Sequence, residues 1–440
     1  MASGSDQPPD HGAKDLGEYK DLGRGPVTSY FRRLAGAVGF SPDAGMFARL
    51  AAFTSSPSNW GKWAGHVMRY IGNPRHEFQT YSKGSGIYEL GETAKLSIAG
   101  DWGTGTDEAQ NVITKMVSHE PDYTIHLGDV YYVGDRPEVD ENVFGKSLPG
   151  VKGVEWKHGS KGSFALNGNH EMYACGTAYF DDFLPTLGQI DAVTHKLIGQ
   201  EASFFCLSNQ HWRIIGLDTG YNSTGVSSIL SFLSRIRGIQ WFRKTSLFKP
   251  SCKLPDELLS WLAKAIAPNE DGTLPGIVLL SHHQYFSGFD DWYQTPAEQL
   301  RKFISLERRV LWFWGHEHRF AIYDCFGIKD GIQAFGRCIG HGGMPVDRKS
   351  TPDIKDCDCV LYDDRKYKND ENIDVGYNGF VTFAFNGPQL EVNYYDLYDT
   401  RLLTESWSTN NKGELTGPRF TNLRAELNQH NPAYIRAHSQ

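Results

Sequence analysis

Six short apolar runs along the chain each end in a cluster of polar residues. In sequence they are AKLSIAGDWGTG, DYTIHLGDVYYVGD, GSFALNGNHEMY, HWRIIGLDTGY, GIVLLSHHQYF and RRVLWFWGHEHRF. Runs of this length that are rich in β-branched and aromatic residues predict buried strands. Two stretches with apolar residues at helical spacing, DEAQNVITKMVSHE and PDELLSWLAKAI, lie between them. Strands that alternate with helices predict a layered α/β fold.

A second pattern follows at residue 375, where VGYNGFVTFAFNGPQLEVNYYDLYDT alternates apolar and polar positions around the turn NGP. This pattern predicts a β-hairpin that extends a sheet to about residue 409. The patterned region 93–409 is therefore predicted to form one domain. The polar segment 410–440 is predicted to be a C-terminal tail on the surface.

The remaining segments carry weaker signals. Residues 1–25 are polar and contain Pro and Gly, which predicts a disordered or loosely held arm. Residues 26–92 contain pieces with helical spacing and are predicted to form a helical N-terminal extension. The insert 221–253 includes SSILSFLSRIRGIQWFRK, which mixes apolar and basic residues. That segment is interpreted as a packed helix, a lid, an oligomer contact or a helix on a membrane surface.

Composition and charge limit the class of protein. The 440 residues are 40% hydrophobic and 22% charged, with a formal net charge of −8, as in soluble globular proteins. The lack of a basic surplus disfavours binding to long nucleic acids. The N-terminus has no apolar signal-peptide core, and no apolar stretch reaches the length of a transmembrane helix. The cytoplasm is the default location, with export as the alternative.

The candidate chemistry lies at the ends of the predicted strands. The residues placed there are carboxylates, an amide, a phenol and imidazoles: Asp101, Asp129, Tyr132, Asn169, His170, His282, His283, His316 and His318. Oxygen donors combined with imidazoles suit a pair of transition-metal ions. Each residue alone is a weak signal, because strand ends commonly carry a single Asp or His. The ordered set, with each member after an apolar strand, is the specific feature.

The blocks GDWG (100–103), GDVYY (128–132), GNHE (168–171), SHH (281–283) and GHEH (315–318) resemble those of the calcineurin-like metallophosphoesterases. All five family blocks occur in the family's order. The resemblance implies a four-layer α/β/β/α sandwich and a phosphoric ester hydrolase with two metal ions. It covers residues 93–409, and the terminal segments lie outside it.

Two departures from the general family pattern point to one branch. Gly103 stands where many members have a metal-binding histidine, and Tyr132 follows Asp129 by three residues. This combination resembles the purple acid phosphatases, in which a tyrosine binds the first metal as a phenolate. The resemblance implies Fe(III) at the Tyr132 site, with Fe, Zn or Mn at the other. Tyr131 is adjacent, but the family spacing selects Tyr132.

The resemblance also implies roles for individual residues. The implied ligands of the first metal are Asp101, Asp129, Tyr132 and His318. The implied ligands of the second metal are Asp129, which bridges, and Asn169, His282 and His316. A metal-bound hydroxide would attack phosphorus in line while His170 stabilises the phosphoryl charge or protonates the leaving group. His283 is expected either to face the substrate, assisting His170, or to support a ligand from behind.

Further residues near the blocks are candidates for supporting roles. Glu171 and Asp218 either orient ligands or make ordinary loop hydrogen bonds. His341, on the Gly-rich loop CIGHGGMP, is a candidate for the mouth of the pocket. Glu317, between two predicted ligands, is expected to point away from the metals, towards solvent or towards the groups behind the ligands.

Three functions are compatible with these residues. A phosphomonoesterase similar to the purple acid phosphatases, acting on a small phosphoester, is favoured. A phosphodiesterase for a nucleotide, a lipid or another small diester is the main alternative. A non-catalytic scaffold that retains the fold is less favoured, because every predicted ligand position is filled.

Overall fold

A computed structural model describes residues 70, 73–147, 153–224, 251–346, 357–368 and 374–439. The predicted arm at 1–25 and most of the predicted helical extension at 26–92 lie outside these residues. The central part of the insert, residues 225–250, also lies outside them, so its four interpretations stay predictions.

Nineteen strands are assigned in the described residues. They are β1 (Ile87–Glu89), β2 (Thr93–Ala99), β3 (Tyr123–His126), β4 (Gly162–Ala165), β5 (Gly188–Ile190), β6 (Leu197–Gly199), β7 (Phe205–Ser208), β8 (Trp212–Leu217), β9 (Gly276–Ser281), β10 (Val310–Trp314), β11 (Phe320–Phe326), β12 (Ala334–Ile339), β13 (Cys359–Tyr362), β14 (Lys366–Lys368), β15 (Asp374–Gly376), β16 (Gly379–Asn386), β17 (Gln389–Asp396), β18 (Arg401–Thr409) and β19 (Leu415–Thr421). The α-helices are α1 (Asp107–Ser118), α2 (Arg136–Asn142), α3 (Asn169–Met172), α4 (Asp256–Ala265), α5 (Thr295–Leu300) and α6 (Pro432–His438). A π-helical turn (Tyr179–Phe183) and a 3₁₀ turn (Leu184–Thr186) follow α3.

Most strands form two large sheets. Sheet I has nine strands in the order β19-β18-β17-β16-β2-β3-β4-β5-β6, and sheet II has eight in the order β1-β7-β8-β9-β10-β12-β11-β13. Strands β2, β3 and β4 run parallel in sheet I, and β8, β9 and β10 run parallel in sheet II. The predicted hairpin at NGP is confirmed as β16 and β17, which pair antiparallel up to Asn386 and Gln389.

The apolar side chains form three clusters that define the layers. The first cluster fills the space between the sheets and includes Ile98 of sheet I and Phe313 of sheet II. The second covers the other face of sheet II and includes Leu262 of α4. The third covers the other face of sheet I and includes Val112 of α1. The predicted four-layer α/β/β/α arrangement is therefore confirmed.

Helix α1 shows how the local sequence specifies one outer layer. Thr106 caps the helix, and its hydroxyl accepts a hydrogen bond from the amide of Ala109 at 3.2 Å. The buried residues Val112, Ile113 and Met116 recur at helical spacing and face sheet I. The predicted helix DEAQNVITKMVSHE is thus confirmed with its apolar face on the sheet.

The ends of the sandwich differ from the sequence predictions. Residues Ile87–Glu89, within the predicted helical extension, form β1 and pair parallel with β7. Residues Leu415–Thr421, within the predicted surface tail, form β19 and pair with β18. These short segments pair with neighbouring strands through their backbones, although neither has a strong alternation of apolar and polar residues. None of the helices in the described residues is long and apolar enough to span a membrane.

A buried ion pair lies inside the sandwich. Arg337 on β12 of sheet II and Glu405 on β18 of sheet I are both fully buried, with Nε and Oε1 3.0 Å apart. The Arg337 guanidinium also donates to the carbonyl of Tyr323 at 2.6 Å. Glu405 accepts hydrogen bonds from Trp407 Nε1 at 3.0 Å and from the Tyr394 hydroxyl at 3.3 Å. This network connects the two sheets through their interior.

Candidate active site

The parallel strands of both sheets end at a common edge of the sandwich. In sheet I, the last residues of three strands are aligned across the ladder: Ala99, His126 and Ala165. In sheet II, the aligned last residues are Leu217, Ser281 and Trp314. The loops that follow these residues carry most of the predicted site. Active sites of layered α/β proteins commonly lie at the carboxyl ends of their parallel strands.

Three predicted ligands have left-handed backbone conformations. Their φ angles are +57° at Asp101, +72° at Asp129 and +65° at His316. Non-glycine residues rarely adopt such values, and their cost is usually tolerated at functional sites. These three residues lie on the loops that follow β2, β3 and β10.

The two carboxylates are buried and surrounded by hydrogen-bonding groups. Asp101 Oδ2 accepts from the backbone amide of His316 at 2.7 Å, which joins a loop of sheet I to a loop of sheet II. Asp129 Oδ1 accepts from the backbone amide of His170 at 3.0 Å. Burial alone would raise the pKa of Asp129, but the neighbouring His170 and His282 imidazoles hold it well below its usual range. Asp129 is therefore held as a carboxylate.

Tyr131, the neighbour of the predicted ligand Tyr132, places its hydroxyl among the predicted metal ligands. The Tyr131 hydroxyl lies 2.8 Å from Asp101 Oδ1, 3.1 Å from Asp129 Oδ2 and 3.0 Å from His318 Nε2. Tyr132 instead contacts other groups through its backbone: its amide donates to Glu138 Oε1 at 2.5 Å. The structure thus brings Tyr131 among the predicted ligands of the first metal, whereas family spacing selected Tyr132.

Burial, and then the charges of Asp101 and Asp129, raise the pKa of the Tyr131 phenol well above its usual value. Ionisation of this phenol would therefore need a strong positive charge beside it. A highly charged metal ion supplies such a charge, because it favours deprotonation of the groups that bind it.

His282 is fixed in an orientation suited to binding a cation. Its Nδ1 lies 2.9 Å from the carbonyl oxygen of Leu127, which accepts the Nδ1 proton. Its Nε2 lies 3.2 Å from both Asn169 Oδ1 and Asp129 Oδ1. Burial lowers the pKa of His282, but the Asp129 carboxylate outweighs burial and raises it to about 9. A proton or a metal ion at Nε2 satisfies the two facing oxygens.

His316 and His318 reach the site from the loop after β10. His318 Nε2 lies 3.4 Å from Asp101 Oδ1, on the side of the first predicted metal. The His316 ring lies beside His282, with ring centroids 5.2 Å apart. Gly315 allows this approach, because a Cβ atom there would lie 2.6 Å from Asp101 Oδ2.

His170 lies beside the carboxylate that is predicted to bridge the metals. Its Nδ1 donates to the carbonyl of Tyr132 at 2.5 Å, and its Nε2 lies 3.6 Å from Asp129 Oδ2. The ring packs against that of Tyr131, with centroids 4.3 Å apart. Nε2 is thus the nitrogen that faces the site.

His283 lies on the side of the second predicted metal. Its Nδ1 is 3.2 Å from the Thr219 hydroxyl, and its backbone amide donates to the same hydroxyl at 3.0 Å. Its ring centroid lies 4.5 Å from that of His316. A nitrogen of His283 comes within 4.8 Å of ligand atoms of His282 and His316, which makes these three a possible metal-binding group. Both predicted roles of His283 stay open.

Glu171 braces two loops of the site. Its carboxylate accepts hydrogen bonds from the amides of Gly168 at 2.7 Å, Val130 at 2.8 Å and Asp129 at 3.2 Å. It thereby fixes the backbone on which Asp129 and Asn169 are carried. Burial and the Asp129 carboxylate raise the pKa of Glu171 to about 8, so cations near Asp129 would favour its ionised form.

Asp218 occupies a similar position under the neighbouring loops. It is fully buried, and its carboxylate accepts hydrogen bonds from the Tyr221 amide at 2.7 Å and from the Ser203 hydroxyl. With its amide in the orientation that satisfies both groups, Asn167 donates to Asp218 at 2.6 Å and 3.0 Å. Burial raises the pKa of Asp218 to about 7. These contacts support the loop before Asn169 from behind.

His341 does not lie at the mouth of the site. Its side chain is buried and stacks on Phe320, with ring centroids 5.8 Å apart. Burial lowers its pKa to about 3, so the imidazole is neutral. Its loop instead supports the site through the backbone, because the amide of Met344 donates to the carbonyl of Asp101 at 3.1 Å.

The donor set at this edge fits metal ions. Asp101, Asp129 and His282 place one ligand atom each within 4.8 Å of one another, and all three are buried. Carboxylates, a neutral imidazole and the Asn169 amide oxygen are the donors that borderline divalent and trivalent ions accept. The residues present therefore fit the predicted metals.

Sequence reasoning missed three residues at this edge. Tyr131 was not predicted as a ligand, because family spacing selected Tyr132 from the same GDVYY block. Thr219, which holds His283, follows Asp218 after β8 and carried no motif. Tyr293, whose ring centroid lies 5.1 Å from that of His283, comes from the far end of the loop that follows β9 and stands outside the SHH block. No pattern signal was available for the last two.

Comparison with known proteins places the chain in a family. The model of the calcineurin-like phosphoesterase family matches residues 94–320, just over half of the chain. The chain belongs to this family, which confirms the family resemblance of the sequence blocks. Comparison with curated proteins finds no match.

Solved structures with some similarity to this one include three with low sequence identity. Purple acid phosphatase PPD1 from yellow lupin (Lupinus luteus) is 13% identical with a TM-score of 0.42, over 70% of this chain and 52% of its own. GAP50, described as the anchor in the inner membrane complex of Plasmodium, is 10% identical with a TM-score of 0.39, over 79% of this chain and 94% of its own. PhoD is 14% identical with a TM-score of 0.40, over 76% of this chain and 73% of its own. The chain thus spans about half the length of the lupin phosphatase that it matches.

Proposed function

We propose that this protein is a dinuclear metal-dependent hydrolase of phosphate esters, with the centre at the shared edge of its two sheets. The observation that carries the proposal is the meeting of Asp129 with His282. These residues come from different sheets, and their side chains lie 3.2 Å apart within a cluster of oxygen and nitrogen donors. Two ions in this cluster would balance charges that the chain itself leaves concentrated there.

The proposed ligands divide between the two ions as the resemblance implies. One ion takes Asp101, Asp129, His318 and a tyrosine, and the other takes Asp129, Asn169, His282 and His316. The contacts of Tyr131 favour it as the tyrosine, and family spacing favours Tyr132. When bound, the two ions supply an activated water and a positive clamp for the phosphoryl oxygens.

The chain's own residues supply orientation and a proton. Asp129 is fixed by the His170 amide, and Glu171 fixes the backbone on both sides of the centre. The Nδ1 proton of His170 is donated to the Tyr132 carbonyl, which leaves Nε2 facing the site. His170 is proposed to carry a second proton at Nε2, as an imidazolium, and to donate that proton to the leaving oxygen. His283 is proposed to face the substrate beside the second ion.

The preferred substrate is proposed to be a small phosphomonoester, because a tyrosine next to the first ion resembles the purple acid phosphatases. Initial rates on mono- and bis-nitrophenyl phosphate would test this proposal, with metal-depleted protein as the control. We expect a higher kcat/KM for the monoester and no turnover after metal removal. A higher kcat/KM for the diester would instead establish a phosphodiesterase, and turnover by the metal-free protein would contradict the proposal.

The proposed Fe(III)–tyrosinate pair predicts a coloured protein. Tyr131→Phe and Tyr132→Phe form a matched pair, because each removes one hydroxyl from neighbouring residues. We expect the visible absorption band to be lost in Tyr131→Phe and kept in Tyr132→Phe. The reverse result would assign the ligand to Tyr132. A colourless active protein that contains only zinc or manganese would contradict the iron assignment while leaving the hydrolase proposal in place.

The cytoplasmic location stays a prediction, and cell fractionation would test it. The proposed oligomer or membrane contact through 221–253 also stays a prediction. Deletion of residues 225–250, followed by sedimentation and vesicle binding, would test both forms of that contact.

A further inference from the structure

Glu317 is a buried carboxyl that the proposed chemistry does not use. It stands between the predicted ligands His316 and His318, yet it is only 4% exposed. Its Oε2 accepts a hydrogen bond from the Ser287 hydroxyl at 2.6 Å and lies 3.8 Å from Arg319 Nε. The side chain therefore points behind the metal-binding turn, into the protein.

Ser287 organises the loop that follows His283 in the chain. Its hydroxyl oxygen accepts hydrogen bonds from the amides of Phe289 at 2.8 Å and Asp290 at 3.1 Å. Its carbonyl accepts from Trp292 Nε1 at 2.6 Å. Ser287 thus accepts three hydrogen bonds from within loop 287–293. Its hydroxyl proton is donated to Glu317, which lies outside the loop.

The loop ends at Tyr293, which forms a wall of the candidate site. The Tyr293 ring meets those of His283 and His316 edge to face, with centroids 5.1 Å and 5.9 Å apart. These two histidines lie on the side of the second predicted metal. Movement of loop 287–293 would therefore move the wall beside that metal.

We propose that Glu317 is a positioning residue that holds loop 287–293, through Ser287, so that Tyr293 fixes the His283 and His316 rings. The inference rests on the proposed function for its effect on catalysis. Its structural part, the connection between the metal-binding turn and the loop, is independent of any activity. Removal of groups that support ligands from behind commonly lowers metal affinity or activity about tenfold to a hundredfold.

A double-mutant cycle tests the connection. Glu317→Ala and Ser287→Ala are each expected to lower kcat about tenfold or more, and the double variant should be no worse than the poorer single variant. Glu317→Gln keeps an oxygen that accepts the Ser287 proton and should retain most of the activity. KM should change less than kcat, because the groups affected support ligands and a wall of the site. Thr404→Val is a matched control that removes a buried hydroxyl remote from the site, bonded to Asn393 at 2.7 Å.

Hydrogen exchange gives a readout that needs no activity. Glu317→Ala should speed exchange of the Phe289 and Asp290 amides at least tenfold, and Thr404→Val should leave them unchanged. Unchanged exchange in Glu317→Ala, or additive losses in the double variant, would overturn the inference. If the wild-type protein hydrolyses neither nitrophenyl ester, the proposed function fails, while the exchange experiment still decides whether Glu317 holds the loop.

Discussion

Two regions of this protein bury charged side chains, and they do so in opposite ways. In the interior, Arg337 and Glu405 pair with each other on regular strands of facing sheets. At the edge, Asp101 and Asp129 both have left-handed φ angles. Their carboxylates contact imidazoles, a phenol and backbone amides. The interior pair is enclosed between two strands, whereas the edge carboxylates lie beside imidazoles on loops, with His282 Nε2 3.2 Å from Asp129 Oδ1. The difference teaches that the interior pair connects the sheets, whereas the edge gathers the carboxylates and imidazoles that are proposed to bind metal ions.

The largest effect expected in the interior is on stability. Glu405→Gln would leave the Arg337 guanidinium buried without its counter-charge. We expect the free energy of unfolding to fall by about 3 kcal/mol or more, measured by urea denaturation of the metal-depleted protein. Turnover per folded molecule should stay near that of the wild type, because neither residue of the pair contacts a predicted ligand.

The double variant Arg337→Met with Glu405→Leu is the control for this result. Removal of both charges should cost less than removal of one, because no unpaired charge remains. If Glu405→Gln were as stable as the wild type, the interpretation that each buried charge is stabilised by the other would be contradicted.

At the edge we expect a smaller effect, which lowers activity and leaves stability nearly unchanged. Glu171→Gln would place an amide N–H₂ group against backbone amides that now donate to a carboxylate. We expect kcat/KM to fall about tenfold to a hundredfold, or ~1–3 kcal/mol, with a small change in melting temperature.

Glu201→Gln is the matched control for this substitution. The Glu201 carboxylate also accepts from three consecutive amides, those of Ser82, Lys83 and Gly84, but in a segment that carries no predicted ligand. Equal losses of activity in the two variants would show that Glu171 has no special relation to the site.

The meeting of Asp101, Asp129 and His282 at one edge of the sandwich could be predicted because its sequence signals are local. Asp101, Asp129 and His282 each follow a buried parallel strand, and parallel strands bring their carboxyl ends to one side of a sheet. The four-layer arrangement was implied by the family resemblance and by the alternation of strands with helices.

Other features depended on contacts that no local pattern records. Which of Tyr131 and Tyr132 faces the site depends on how the chain turns after Asp129, whose φ angle is +72°. His341 was expected at the mouth of the pocket, but its position between β12 and β16 buries it against Phe320. The burial of Glu317 depends on Ser287, which lies thirty positions away. β1 joins sheet II by pairing with β7 and by burying Tyr88 in the cluster between the sheets, contacts that are remote in sequence.

The most direct test of the central claim is a calorimetric titration of the metal-depleted protein with Mn²⁺ or Zn²⁺. The proposed centre predicts two ions per wild-type chain. It also predicts that Asp129→Asn weakens the binding of both, because this residue is proposed to bridge them, while Glu405→Gln still binds two. Asp129→Asn that binds two ions with wild-type affinity would contradict the dinuclear centre.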